Sequence, residues 1–383
     1  RIDPFELRRI NSLQAGDETV SGQVLTDDGY VNVINQLERA VKEQLDSIPH
    51  TPGKARGIGI AGCFWGMSGN ASGATINLNE DGTVTLYIGA VEIGTGVTTA
   101  MALLVAEELG IPVENISVIS GDTDAGPYES GAVGSRTTQD LGTPVVQAAR
   151  EAKRQVLSFA SSKLGASEDE LELADSKIFV KDDPSRVLKF EQVVNARISS
   201  SGGGPIVVSA GNNPIKPDYD KKRVTSHTRA SKPFYVFGAQ AAAVDVDVIT
   251  GRVSVLKIIA VHDVGKAVFP SGVEGQIQGG TAMGYGYALT EEAIFNNGRM
   301  LNANLLDYRV PTMLDVPEIV PVIVEKPNPR VPEDIRGIGE PPTIPTAPAI
   351  ANAVFDAVGV RNNTLPMTPE RIYQAIINKR IKN

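Results

Sequence analysis

Cysteine and histidine are scarce in this chain of 383 residues: Cys63 stands alone, and histidine occurs only at positions 50, 227 and 262. A single cysteine excludes an internal disulfide, an iron–sulfur cluster and a cysteine-rich zinc site, and the scattered histidines make no histidine-rich metal site. No apolar run approaches the roughly 18 residues that a membrane-spanning helix needs, and no signal-peptide pattern stands at the start. Nor is there a basic excess. With 36 Lys+Arg against 45 Asp+Glu, the net charge of −9 argues against nucleic acid or an acidic membrane surface as the main partner. The remaining composition is that of a globular protein long enough for more than one core, and a cytoplasmic location is expected. The chain opens at Arg1 rather than at methionine, as a processed product or a segment of a longer chain would.

What the chain does have is glycine and proline, 38 and 24 residues, placed in recurrent patterns. Residues 1–50 read as a helical lead-in, with Ile34, Leu37, Val41, Leu45 and Ile48 on one face and Pro49 beyond them. From residue 51 to 210 a first α+β unit is expected. Gly57-Ile-Gly-Ile-Ala-Gly62 matches the GxGxxG spacing of dinucleotide-binding loops, but that fingerprint needs a strand before it and a helix after it. Here Phe64-Trp-Gly-Met-Ser-Gly follows, so the stretch reads as a glycine-rich strand. Ala74–Asn79 and Thr83–Ile88 flank Glu80-Asp81-Gly82 as a hairpin. The loop Val91-Glu-Ile-Gly-Thr-Gly96 then leads into a helix that Gly110 stops. A similar loop, Ser130–Thr138, opens a long helix around Val145–Leu164. Both loops put small or hydroxyl residues at a helix start, where free N–H groups favour anions; simple capping accounts for either one taken alone.

A short hairpin near Asp183-Pro184, a helix over Phe190–Ile198 and a flexible Ser199–Pro205 tract complete this unit. Residues 211–233 read as a connector. A second α+β unit, 234–383, repeats the order: strands Gln240–Val248 and Arg252–Val261, a glycine-rich segment 272–286 carrying Gln276 and Gln278, then a helix. Strand–turn–strand followed by glycine-rich loop and helix thus occurs twice, near 73–110 and 239–290. In the second unit Gly337-Ile-Gly-Glu340-Pro-Pro342 places one carboxylate on a turn stiffened by two prolines, before a helix starting near Thr346. Glu340 reads as a desolvated acid or base, or as a cap.

Asp3-Pro-Phe-Glu-Leu-Arg-Arg-Ile-Asn11, Glu92-Ile-Gly-Thr-Gly96, Gly134-Ser135-Arg136, Asp263-Val-Gly265, Gly275-Gln276 and Gly339-Glu340-Pro-Pro342 occur in the order in which similar segments occur in one known family. In these segments the chain resembles, nearly from end to end, the carboxy-terminal half of the molybdenum-cofactor subunit of the xanthine dehydrogenase/aldehyde oxidoreductase family. The resemblance implies an α+β fold of two repeated β-hairpin/α units with mixed sheets. It also implies a molybdenum–molybdopterin cofactor, in mononucleotide or cytidine dinucleotide form, whose metal takes no protein side chain. Gly94, Thr95, Gly96, Gly134, Ser135, Arg136, Thr137, Gln276 and Gly339 would surround the cofactor, with Gly134 at the molybdenum. Glu340 would be the base, taking a proton as water-derived oxygen attacks a carbon of an N-heterocycle or aldehyde. Iron–sulfur and flavin groups would sit on partner chains within an oligomeric complex.

Departures from the family accompany the likeness. Thr95 stands where a glutamine is frequent. Ser68 occupies the place of an aromatic substrate clamp and, with Phe64, is a pocket candidate; Trp65 lies nearby. The family's amino-terminal half is not within this match, so the chain alone is expected to be inactive, that half coming from another subunit or from a longer chain. A different reading keeps the fold as a non-catalytic assembly module that holds no cofactor.

Overall fold

The computed structural model describes residues 2–26, 29–45, 47–67, 69–214, 218, 220–223, 232, 235–326 and 332–382. Helix α1 (Pro4–Ile10) is capped by Asp3, whose carboxylate accepts from the N–H groups of Phe5 and Glu6. Helix α2 (Gly29–Gln44) buries Val33, Ile34, Leu37, Ala40 and Val41, the stripe expected from the periodicity. Strands β1 (Ala55–Gly66), β2 (Ser72–Leu78) and β3 (Val84–Ile88) follow, with β2 and β3 paired as the expected hairpin. Helix α3 (Val97–Leu109) ends at Gly110, which takes the left-handed conformation (φ 55°) that a side chain would disfavour. It returns the chain to β4 (Ile116–Ser120), parallel to β3.

Helix α4 (Thr137–Leu164) starts earlier than the expected Val145 and carries Pro144 inside it. Burial of every residue from Gln139 to Val146 outweighs the local cost of that proline. Strands β5 (Leu171–Ala174), β6 (Lys177–Val180) and β7 (Asp183–Lys189) make a separate antiparallel sheet. Helix α5 (Phe190–Ser199) and β8 (Ile206–Asn212) then bring the chain back to β2.

The second unit opens with β9 (Tyr235–Val246) and β10 (Val253–Asp263), joined through Thr250-Gly251. Helix α6 (Pro270–Leu289) contains the whole glycine-rich segment. A small hairpin, β11 (Phe295–Asn296) with β12 (Arg299–Met300), turns at Asn297-Gly298. Strand β13 (Glu318–Val324) runs parallel to β10, and helices α7 (Thr346–Val358) and α8 (Pro369–Lys382) close the chain.

Two sheets of four strands, β4-β3-β2-β8 and β13-β10-β9-β1, therefore share one pattern. In each, a hairpin is followed by a helix and a third strand parallel to the hairpin's second strand, while a fourth strand lies antiparallel to the first. The repeat expected near 73–110 and 239–290 is present. The expected boundary at residue 51 is not. Strand β1, assigned to the first unit by its place in the sequence, ladders with β9 from Ala55↔Val246 to Gly66↔Tyr235 and so belongs to the second sheet. Of the expected connector 211–233, the first two residues complete β8 and most of the rest lies outside the described residues.

The GxGxxG glycines have a packing role. Helix α7 lies against β1 so closely that a Cβ on Gly57 would overlap the carbonyl oxygen of Ala353, and one on Gly59 its backbone nitrogen. On the other face of the strand, a Cβ on Gly62 would overlap the Tyr30 hydroxyl. Among the described residues no helix is long and apolar enough to cross a membrane. Gly59→Ala should lift α7 from the sheet and lower stability by about 1–3 kcal/mol, the usual scale of an overpacked core, read as a lower denaturant midpoint at unchanged slope.

Candidate cofactor site

The turn that bears Glu340 is fastened before, at and after the glutamate. Before it, Arg336 and Asp263 form a fully buried ion pair at 2.9 Å. Asp263 also accepts the N–H of Gly265 at 3.0 Å. Gly265 (φ 63°) has to be glycine, since a Cβ there would overlap the carbonyl oxygen of Asp334. This explains the Asp263-Val-Gly265 motif: it anchors the backbone that approaches Glu340. Gly337 then passes so close to the 134–137 loop that a Cβ on it would overlap the carbonyl oxygen of Ser135.

At the glutamate, the Ser135 hydroxyl accepts from the Glu340 N–H at 2.9 Å and donates to the Glu340 carboxylate at 2.7 Å. Ser135 adopts φ 56°, a left-handed conformation that costs a non-glycine residue about 1 kcal/mol or more. Pro341 and Pro342 are buried, whereas Glu340 itself is exposed. The expected desolvation of Glu340 is therefore not met within this chain, because the turn buries its prolines and directs the glutamate outward.

Beside this turn a cleft is lined by Thr95, Gly96, Thr138, Gln276 and Ile338, together with Lys266 and Phe269. The Cβ position of Gly339 lies 3.7 Å from Ser135 Oγ and 3.9 Å from Gln276 Oε1, so the first unit's loop and α6 meet at the glutamate turn. Thr137, half-buried, opens α4, and Gly134 (φ 64°) lies buried just before it. On α6, nothing lies within 4 Å of the Cβ positions of Gly275 and Gly279, whereas Gly280, Gly284 and Gly286 pack closely against Pro342, Thr346 and Glu291. Thr138, Lys266 and Phe269 were not singled out from the sequence. Lys266 follows Asp263-Val-Gly265 directly, and its ammonium pairs with Glu107 at 2.6 Å.

Several expectations need correction. The amides of Gly94 and Gly96 are not free for an anion, because the Glu92 carboxylate accepts from them at 2.8 and 2.9 Å and from Thr98 N–H at 3.3 Å. Partial burial pushes the Glu92 carboxyl up, but hydrogen bonds from Gly96, Thr98, Gly94 and Thr95 outweigh it and hold it below its ordinary range. Arg136 does not face the cleft. Its guanidinium is wholly buried, paired with Asp140 at 2.6 Å and with Glu129, and donating to Ser72 and to the carbonyl oxygens of Gly131, Asn70 and Ala71.

Phe64 lies on the wrong face of β1 for a substrate pocket beside Glu340. It stacks on Tyr235 at 4.2 Å, whereas its neighbour Cys63 faces the other way and donates to the Pro341 oxygen at 3.7 Å. The period of two in a strand was the signal that separates them. Trp65, on the Cys63 side, packs with Met67 and Ile338. Ser68 lies outside the described residues.

The donor set suits a pterin with a phosphate: the Gln276 amide, the Thr95 and Thr138 hydroxyls and two cations, Lys266 and Arg336, each paired with a carboxylate, line the cleft. Directly after Thr138, the amide of Gln139 is buried with no partner among the described residues. No group of three or more His, Cys, Asp or Glu side chains gathers among the described residues.

The Glu92 network has a pH signature. A carboxyl held below its unfolded value contributes stability above that unfolded value and loses it as pH falls through the folded one. Amide exchange at Gly94, Gly96 and Thr98, corrected for intrinsic rates, should therefore accelerate on acidification below the ordinary carboxylate range. Glu92→Gln should accelerate it at neutral pH and remove the acid dependence. Slow exchange at these amides in the variant would count against the network.

A family model described as the molybdopterin cofactor-binding domain matches residues 34–317. The putative xanthine dehydrogenase molybdenum-binding subunit of Escherichia coli K12 is 33% identical over 388 residues, covering 97% of this chain and 49% of its own length. The nicotine 6-hydroxylase large subunit of Paenarthrobacter nicotinovorans is 31% identical, covering 98% of this chain and 47% of its own. Among solved structures, quinoline 2-oxidoreductase from Pseudomonas putida 86 superposes with a TM-score of 0.85 at 29% identity, over 98% of this chain and 50% of that one. The chain thus spans about half the length of the relatives it matches. On the match over most of its length, the chain belongs to the molybdopterin cofactor-binding domain family.

Proposed function

We propose that this chain is the cofactor-holding, catalytic half of a molybdenum hydroxylase that oxidises a carbon of an N-heterocycle or aldehyde with oxygen from water. The observation that carries the reading is Glu340, bonded through both its N–H and its carboxylate to Ser135, at the edge of a cleft lined by Thr95, Thr138 and Gln276. Relatives named for xanthine, nicotine and quinoline support the heterocyclic class.

When bound, the molybdenum–pterin group supplies a two-electron acceptor and an activated oxygen derived from water. The chain's own residues do the rest. Gln276, Thr95 and Thr138 offer amide and hydroxyl partners to the pterin and its phosphate, in the plain or the cytidine dinucleotide form, with Lys266 as a cation beside them. Glu340 is the general base. Its carboxylate, exposed on a turn stiffened by two prolines, exchanges the Ser135 hydroxyl for the proton it accepts. Iron–sulfur and flavin groups on partner chains would take up the electrons, and the stretch corresponding to the relatives' other half would complete the pocket.

Glu340→Gln in the complete enzyme should leave molybdenum and pterin content unchanged and reduce turnover at least about a hundredfold, the usual scale for a lost general base. Metal analysis paired with steady-state rates checks this, and near-normal turnover would overturn the assignment.

A further inference from the structure

Behind Glu340 the turn presents the backbone carbonyls of Pro341 and Pro342 to the face of the second sheet. Proline has no N–H to anchor it, so the hold on this segment has to come through its oxygens. The Pro341 oxygen accepts from the Cys63 thiol at 3.7 Å and from the N–H of Ile344 at 3.2 Å. Burial pushes that thiol up to about 12, so it stays a neutral donor. The stronger anchor is Gln240, in the middle of β9 and fully buried. Its Nε2 donates to the Pro342 oxygen at 2.6 Å and to Thr281 Oγ1 on α6 at 3.1 Å, while its Oε1 accepts from the Thr346 hydroxyl at 2.7 Å.

A proline carbonyl can only accept, so the amide nitrogen must face it, and every hydrogen-bonding group of the Gln240 amide is then engaged. One side chain in this way ties a central strand to the middle of α6, to the first residue of α7 and to the residue two beyond Glu340. We propose that Gln240 is a positioning residue for Glu340, setting the height of the glutamate above the sheet through the carbonyl of Pro342. This rests on the reading of Glu340 as the base. Gln240 is fully buried and does not line the cleft.

Hydrogen exchange on the holoenzyme that contains this chain tests the inference. The reporters are the amides of Glu340, Thr343 and Ile344, which bond to Ser135 Oγ, Glu340 O and Pro341 O. Gln240→Leu should speed exchange at these amides by about tenfold or more, the effect of losing one buried hydrogen bond, with α3 and α4 unaffected. With the substrate that the holoenzyme oxidises, kcat should fall while KM stays. Should Gln240→Leu not fold, Gln240→Met decides the matter, because it keeps the length of the side chain while removing the amide that holds the Pro342 oxygen, and it should give the same local pattern. Thr281→Val, which leaves the bond to Pro342 in place, should leave exchange at 340–344 and kcat near their original values.

Unchanged exchange at 340–344 in Gln240→Leu, or in Gln240→Met where the first does not fold, would overturn the proposal. So would a local loosening that leaves kcat intact. If Glu340→Gln itself retains turnover, the reading of Glu340 as base fails instead, whatever the exchange pattern shows.

Discussion

The contact between Gly337 and the Ser135 carbonyl is the constraint on which the site depends. It brings a loop of the first unit and a turn of the second to a distance that only glycine permits. Once the backbones meet there, the Ser135 hydroxyl is in place to bond both ends of Glu340. The left-handed strain at Ser135 belongs to the same contact, since it aims carbonyl and hydroxyl together at the turn. Neither unit has the site by itself: one brings Thr95, Ser135 and Thr138, the other Gln276 and Glu340.

Buried polar groups do much of the holding. Arg336 with Asp263, Arg136 with Asn70, Ala71 and Ser72, and Gln240 with Thr281 and Thr346 each join segments distant in sequence. Such groups are costly to bury unless satisfied, and when satisfied they favour one geometry over its neighbours. With Glu340 as the proposed base, that suits a turn whose glutamate would have to remain within reach of a reacting proton. The apolar clusters on either side of the second sheet supply bulk stability, whereas these networks set position.

Much of this was legible in the sequence because it is local. The hairpins at Asp81-Gly82 and Asn297-Gly298, the stop at Gly110 and the start of α7 near Thr346 follow from turn and cap chemistry. The glycines at 337 and 339 and the prolines after Glu340 likewise marked a special turn. What was not legible depended on tertiary partners. Arg136 sits in a loop that looks made for an anion, yet its charge is met inside by Glu129 and by Asp140 four residues on, and the carbonyls of Asn70 and Ala71 and the Ser72 hydroxyl, distant in sequence, draw its guanidinium inward. Glu92 fills the amides that its own loop seemed to offer. Phe64 was misplaced by one step of strand alternation, which a sequence reveals only once the buried face is known. The glycines of GxGxxG carried a true signal of close approach, but the approaching group is helix α7.

The placement of β1 bears on how the molecule is made. Its ladder joins Ala55 to Val246, and the whole first unit lies between them in the chain. The second sheet therefore cannot close until the first unit has been synthesised, and its closure has high contact order, the slow kind of event in folding. The first sheet, by contrast, needs only residues up to β8. Until β9 arrives, β1 is an unpaired edge beside the apolar stripe of α2, a surface prone to association. The order of synthesis thus makes the first unit a body that can form early, with the Glu340 turn set only after it.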